Sequence, residues 1–101
     1  MTLASLAILA RIEAKPEKAV DVERFLQEAL TLAEKENGTT TWFAVKLGET
    51  SFAIFDTFTG EGGRESHLNG EIAKALFAKA DELLSRPPEV FKADVIAAKL
   101  P

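Results

Sequence analysis

The chain has 101 residues, 47% of them hydrophobic, and a net charge of −4 from 12 basic and 16 acidic side chains. That length and apolar content suit one domain spanning residues 1–101 with its own core, while mild acidity without a Lys/Arg cluster argues against a nucleic-acid partner. The absence of cysteine excludes a disulfide framework, a thiolate metal site and a cysteine nucleophile, and makes a cytoplasmic location the expectation.

The opening MTLASLAILA is apolar but has no basic lead, and it runs directly into an alternating pattern. It reads as the start of a strand, not as a leader. No apolar run reaches the roughly 18 residues that a membrane span needs, so no membrane partner is expected. From Leu3 to Ala14 the even positions Ala4, Leu6, Ile8, Ala10, Ile12 and Ala14 are all apolar, which predicts a first strand with one clean face.

Pro16 then opens a helix, since its missing N–H costs nothing in a first turn. Val22, Phe25, Leu26, Ala29 and Ala33 fall at helical spacing along one side, with Glu23, Gln27, Glu34 and Lys35 on the other. Asn37-Gly38 is expected to close it as a left-handed cap. Thr39 to Leu47, rich in Thr, Trp, Phe and Val, predicts a second strand, and Ser51 to Phe58 a third, joined through Gly48 as an antiparallel hairpin.

The third strand carries apolar residues on both faces: Phe52, Ile54 and Phe58 on one, Ala53 and Phe55 on the other. The chain's own helices cover one face. The other calls for a second layer, most simply a second copy of the chain, so a homodimer is expected. Thr59 is placed to cap a short helix through Leu68. After Asn69-Gly70, Ile72, Leu76, Phe77, Ala80, Leu83 and Leu84 mark a longer helix that Pro87-Pro88 stops. Val90 to Leu100 predicts the last strand. The order β-α-β-β-α-β is that of an α+β, ferredoxin-like unit with a four-stranded antiparallel sheet.

Two polar residues stand out. Asp56 lies inside FAIFDTF on the face of Phe52, Ile54 and Phe58. A carboxylate there is either a general base in an apolar pocket, or a structural group bonded to a backbone N–H or to Arg64. His67, the only histidine, sits on the short helix with Gly63 and Arg64 one turn earlier. It reads as a proton acceptor or donor to a bound oxygen, with Gly63 leaving room beside the ring, or as a histidine bonded to a carbonyl. Trp42, Phe52, Ile54, Phe58 and Arg64 are the candidate substrate contacts around this pair. With one histidine and no cysteine no metal site is expected, and Gly60, Gly62 and Gly63 match neither a P-loop nor a dinucleotide fingerprint.

A strand ending in Ala14-Lys15-Pro16-Glu17, a long helix closed by Asn37-Gly38, and FDTF followed by Gly63-Arg64-Glu65-Ser66-His67-Leu68 resemble the antibiotic biosynthesis monooxygenase family, in particular its small quinol-monooxygenase-like members. The resemblance covers nearly the whole chain, and the Phe58-to-His67 spacing is its most specific part. It implies a dimeric α+β barrel with a pocket between each sheet and its own helices. It also implies oxygenation of a quinol or polycyclic phenol without metal, flavin or haem. His67 matches the family's helix histidine, and Asp56 an acidic position usually held by Glu. Phe58 stands where many members carry Trp, and no Asn precedes Asn37, so haem degradation is disfavoured. The alternative is a non-catalytic barrel that binds a small apolar ligand or serves as an accessory subunit.

Overall fold

The computed structural model describes residues 5–101. Leu3 and Ala4, expected at the start of the first strand, lie outside the described residues. Strand β1 runs Leu6–Glu13, followed by a 3-10 turn at Pro16–Lys18 and helix α1 at Ala19–Ala33. Strands β2 (Thr39–Lys46) and β3 (Ser51–Phe58) follow, then helices α2 (Glu61–Leu68) and α3 (Glu71–Leu83), and strand β4 (Glu89–Asp94). All strand pairs are antiparallel in the order β2-β3-β1-β4. This is the ferredoxin-like sheet that the order of elements predicts.

Strand alternation decides which face is buried. Ile8, Ala10 and Ile12 of β1 and Phe52, Ile54 and Phe58 of β3 point to the helices, each less than 10% exposed. Helix α1 meets them with Val22, Leu26, Ala29 and Ala33, and α3 with Ile72, Leu76 and Leu83. Removing a side chain such as Ile12 from water contributes about 1.5–3 kcal/mol, and this layer holds most of the large buried residues.

The opposite sheet face is uncovered. The strand register aligns Phe43, Phe55, Leu9 and Phe91 in one row across all four strands. Phe43 is 55% exposed, Phe55 37% and Phe91 47%. This apolar row is left without a covering layer among the described residues.

Several boundaries differ from expectation. Strand β4 ends at Asp94, short of the expected Leu100, and one further backbone bond runs from Val95 N–H to Ser5 C=O. Helix α3 ends at Leu83, before Pro87-Pro88, as Leu84 turns extended and bridges to Ala14. Gly60, not Thr59, caps α2, with no side-chain hydrogen bond.

Gly38 adopts no left-handed conformation, and among the described residues no glycine has positive φ. Helix α1 instead unwinds through short-range bonds from Lys35 N–H to Leu32 C=O and Glu36 N–H to Ala33 C=O. Gly38 is needed for a different reason. A Cβ there would stand 2.7 Å from Gly63 Cα, so the start of β2 and the first turn of α2 touch backbone to backbone.

Candidate functional site

Asp56 is fully buried on the helix-facing side of β3. Strand alternation puts it there and the Gly38–Gly63 contact brings α2 down onto it. His67 points inward from the last turn of α2, its ring 5.4 Å from that of Phe58 at a 46° tilt. Its Nε2 lies 2.8 Å from Asp56 Oδ2. The ring N–H is not well aimed at that oxygen, which has no directed hydrogen bond. At 2.8 Å between buried groups the contact is nonetheless an ion pair.

On its other side His67 donates Nδ1–H to Glu36 Oε1 at 2.7 Å, and the same oxygen accepts Thr39 Oγ1–H at 2.7 Å. The result is a continuous chain, Asp56–His67–Glu36, running outward from a carboxylate with no exposure to one whose side chain is 21% exposed. Sequence reasoning missed Glu36. It sits 31 positions from His67 in the unwinding end of α1, where an acidic residue looks like ordinary helix surface.

The electrostatics follow from this geometry. Burial alone would lower the His67 pKa, but the Asp56 and Glu36 carboxylates outweigh it and push it up to about 9. The imidazole is therefore charged at neutral pH, with both ring nitrogens engaged. Burial holds the Asp56 carboxyl above the usual carboxylate range, against the lowering effect of His67. The two directions describe one proton shared by a desolvated pair, and it resides on His67 because two carboxylates face that ring.

Two clefts flank the chain of charges. One, of about 500 Å³, is lined by His67, Glu36, Gly38, Gly63 and Ser66 and opens at the Glu36 end. The other, of about 470 Å³, lies between α1 and edge strand β2 and is lined largely by apolar side chains, among them Leu26, Leu30, Trp42 and Phe52. Of the expected contacts, Phe52 and Trp42 line this second cleft. Ile54 and Phe58, together with Asp56, lie beneath the helices and line neither cleft.

Arg64 is not part of the grouping. Its guanidinium donates to Glu61 and to the backbone carbonyls of Ala7 and Ala93, bracing α2 against β1 and β4, and it makes no bond to Asp56. The position a Gly63 Cβ would take is filled by the Gly38 backbone, while Gly63 and His67 both line the cleft that opens past Glu36. Among the described residues no three His, Cys, Asp or Glu side chains converge as a metal-ligand set, since His67 separates its two carboxylates.

The NE2512 protein of unknown function from Nitrosomonas europaea is 50% identical to this chain, covers 98% of it over 96% of its own length, and superposes with a TM-score of 0.94. The chain belongs to the family of that protein. Its fold is that of the antibiotic biosynthesis monooxygenases. A candidate antibiotic biosynthesis monooxygenase from Bacteroides thetaiotaomicron is similar over 97% of this chain and 95% of its own, at 20% identity and a TM-score of 0.77. Another from Caulobacter crescentus is similar over 94% and 93%, at 16% identity and 0.76. No protein-family model and no curated protein matches the sequence. In this chain Asp56 and His67 lie together between the sheet and α2, and no helix among the described residues is long and apolar enough to cross a membrane.

Proposed function

We propose that the protein is a cofactor-independent monooxygenase acting on a quinol or polycyclic phenol. The observation that carries this reading is the Asp56–His67–Glu36 chain, which connects a carboxylate buried among apolar side chains to an open cleft. Such chemistry needs a base in an apolar surround and a route for the proton. Asp56 is the acceptor, its basicity raised by burial. His67, charged and held between two carboxylates, positions Asp56. As Asp56 takes the phenolic proton, the imidazolium passes its Nδ1 proton to Glu36 and stays neutral with Nε2–H facing Asp56, so the net charge of the three groups rises by the one proton gained.

The deprotonated ring then gives one electron to dioxygen. The resulting radical pair forms a carbon–oxygen bond, and the peroxide loses water to leave a carbonyl. Over the whole reaction a phenol and one dioxygen yield a quinone and one water. In this reading a second copy of the chain covers the row Phe43, Phe55, Leu9 and Phe91, giving a homodimer, and a reducing cytoplasm suits a chain without cysteine.

The test is dioxygen uptake by metal-free protein across a panel of quinols and phenols, with Asp56→Asn alongside. Uptake that depends on substrate and on Asp56 supports the reading. No uptake across the panel, by folded protein, overturns it and leaves a non-catalytic ligand-binding barrel.

A further inference from the structure

Two buried polar atoms on neighbouring strands have no hydrogen-bond partner. Asp56 Oδ1 and Trp42 Nε1 are both buried and make no hydrogen bond. The residues are direct partners in the β2–β3 register, so their Cβ atoms are about 4.5–5.5 Å apart on one face. That face is the helix side: Trp42 packs on the core around Leu26, Phe52 and Ile72, and Asp56 meets His67. A buried donor or acceptor left unpaired is costly, and natural folds leave few of them. Here the orphans are one N–H donor and one carboxylate acceptor, on neighbouring residues. A hydroxyl group satisfies both, accepting from the indole and donating to the carboxylate.

Trp42 also lines the apolar cleft between α1 and β2. It is half-buried and stands on the edge strand, where Phe43 beside it is exposed. The indole thus lines the cleft and neighbours Asp56 in the sheet, and a ligand hydroxyl reaches both atoms only if the indole turns outward.

We propose that Trp42 Nε1–H and Asp56 Oδ1 form a clamp for the hydroxyl of an aromatic alcohol whose ring occupies the α1–β2 cleft. This rests on the monooxygenase reading for its chemical use, since the clamp sets the phenolic O–H on the proton acceptor. Trp42 then selects hydroxylated rings over bare ones of the same size. Substrate and proton use different openings: the ring enters between α1 and β2, and the proton leaves past Glu36.

Binding of 2-naphthol and of naphthalene, measured without dioxygen, tests the clamp apart from turnover. The expected result is that wild-type protein prefers 2-naphthol by at least about tenfold, the ratio one good hydrogen bond supports. Trp42→Phe keeps the apolar wall and loses the N–H, so it lowers 2-naphthol affinity about tenfold and leaves naphthalene affinity unchanged. In wild-type protein the indole N–H resonance of this sole tryptophan shifts on adding 2-naphthol and not on adding naphthalene, a readout independent of whether the variant folds. Equal affinity for the two compounds, as when only a water fills the clamp, an unmoved indole resonance, or no binding of either compound overturns the proposal. Absent turnover with intact 2-naphthol preference overturns the monooxygenase reading and leaves the clamp standing.

Discussion

Gly38 and Gly63 lie in backbone contact, with the position of a Cβ on Gly38 only 2.7 Å from Gly63 Cα and that of a Cβ on Gly63 only 2.8 Å from Gly38 C=O oxygen. This contact fixes the height of α2 above the sheet, and so the reach of His67 to both Asp56 and Glu36. Neither partner is a flexible side-chain tip that could yield.

Gly38→Ala and Gly63→Ala are each expected to destabilise the fold by about 1–3 kcal/mol, the range for forcing extra volume into a close contact. Gly62, on the same helix, has nothing within 4 Å of its Cβ position. Gly62→Ala is expected to be neutral or to stabilise by up to about 1 kcal/mol, because alanine is the better helix former. Thermal midpoints of the three variants check the contrast. Equal shifts for all three would show that the close approach is not what the glycines provide.

As the only histidine in the chain, His67 can be followed without assignment ambiguity by imidazole proton NMR. It is expected to titrate near 9. The groups facing it are Asp56 from β3 and Glu36 from the end of α1, with Lys35 and Glu71 on the rim of the cleft. Because the folded pKa is above the unfolded value of about 6.5, the linked stability is fully present below pH 6.5 and is lost as pH rises through about 9. The thermal midpoint should fall over that window. A titration at or below 6.5 would remove the charged-imidazole account.

Glu36→Gln retains a hydrogen-bond acceptor for Thr39 and His67 and removes one carboxylate charge. The His67 titration is expected to move down from about 9, since burial is then opposed by Asp56 alone. On the proposed reaction, Asp56→Asn lowers turnover by roughly 10²–10⁴-fold, the usual contribution of a positioned base, whereas Glu36→Gln chiefly displaces the pH–rate profile. A Glu36→Gln variant with unchanged His67 titration and unchanged profile would place Glu36 outside the relay.

The row Phe43, Phe55, Leu9 and Phe91 predicts a dimer in solution. Phe55→Asp puts a charge in the centre of that row without touching the helix-side core, so it is expected to shift sedimentation at micromolar concentration from dimer to monomer. A wild-type monomer at that concentration would assign the face to a different partner.

The sequence by itself determined the elements and their order, because hydrophobic period is a local property. Strand three at Ser51–Phe58 and the break at Asn69-Gly70 stand where periodicity put them. Alternation in FAIFDTF also placed Asp56 on the face of Phe52, Ile54 and Phe58, and the doubly apolar strand announced an uncovered sheet face. Element ends were less legible. Strand β4 ends at Asp94 although apolar residues continue through Leu100, since strand length is set by pairing with a neighbour and not by local composition.

Only the tertiary structure decided what Asp56, His67 and Glu36 do together. The chain of charges joins residues from three elements, and its members are ordinary in their own neighbourhoods: Glu36 reads as helix surface, Gly38 as a turn. Their ionisation follows from desolvation and from distances of 2.7 and 2.8 Å, which exist only once α2 is seated on the sheet. The same holds for Arg64, whose charge suggested a ligand contact. Packing spends it on Glu61 and two backbone carbonyls instead, because a buried guanidinium takes the nearest acceptors and sequence does not say which those are.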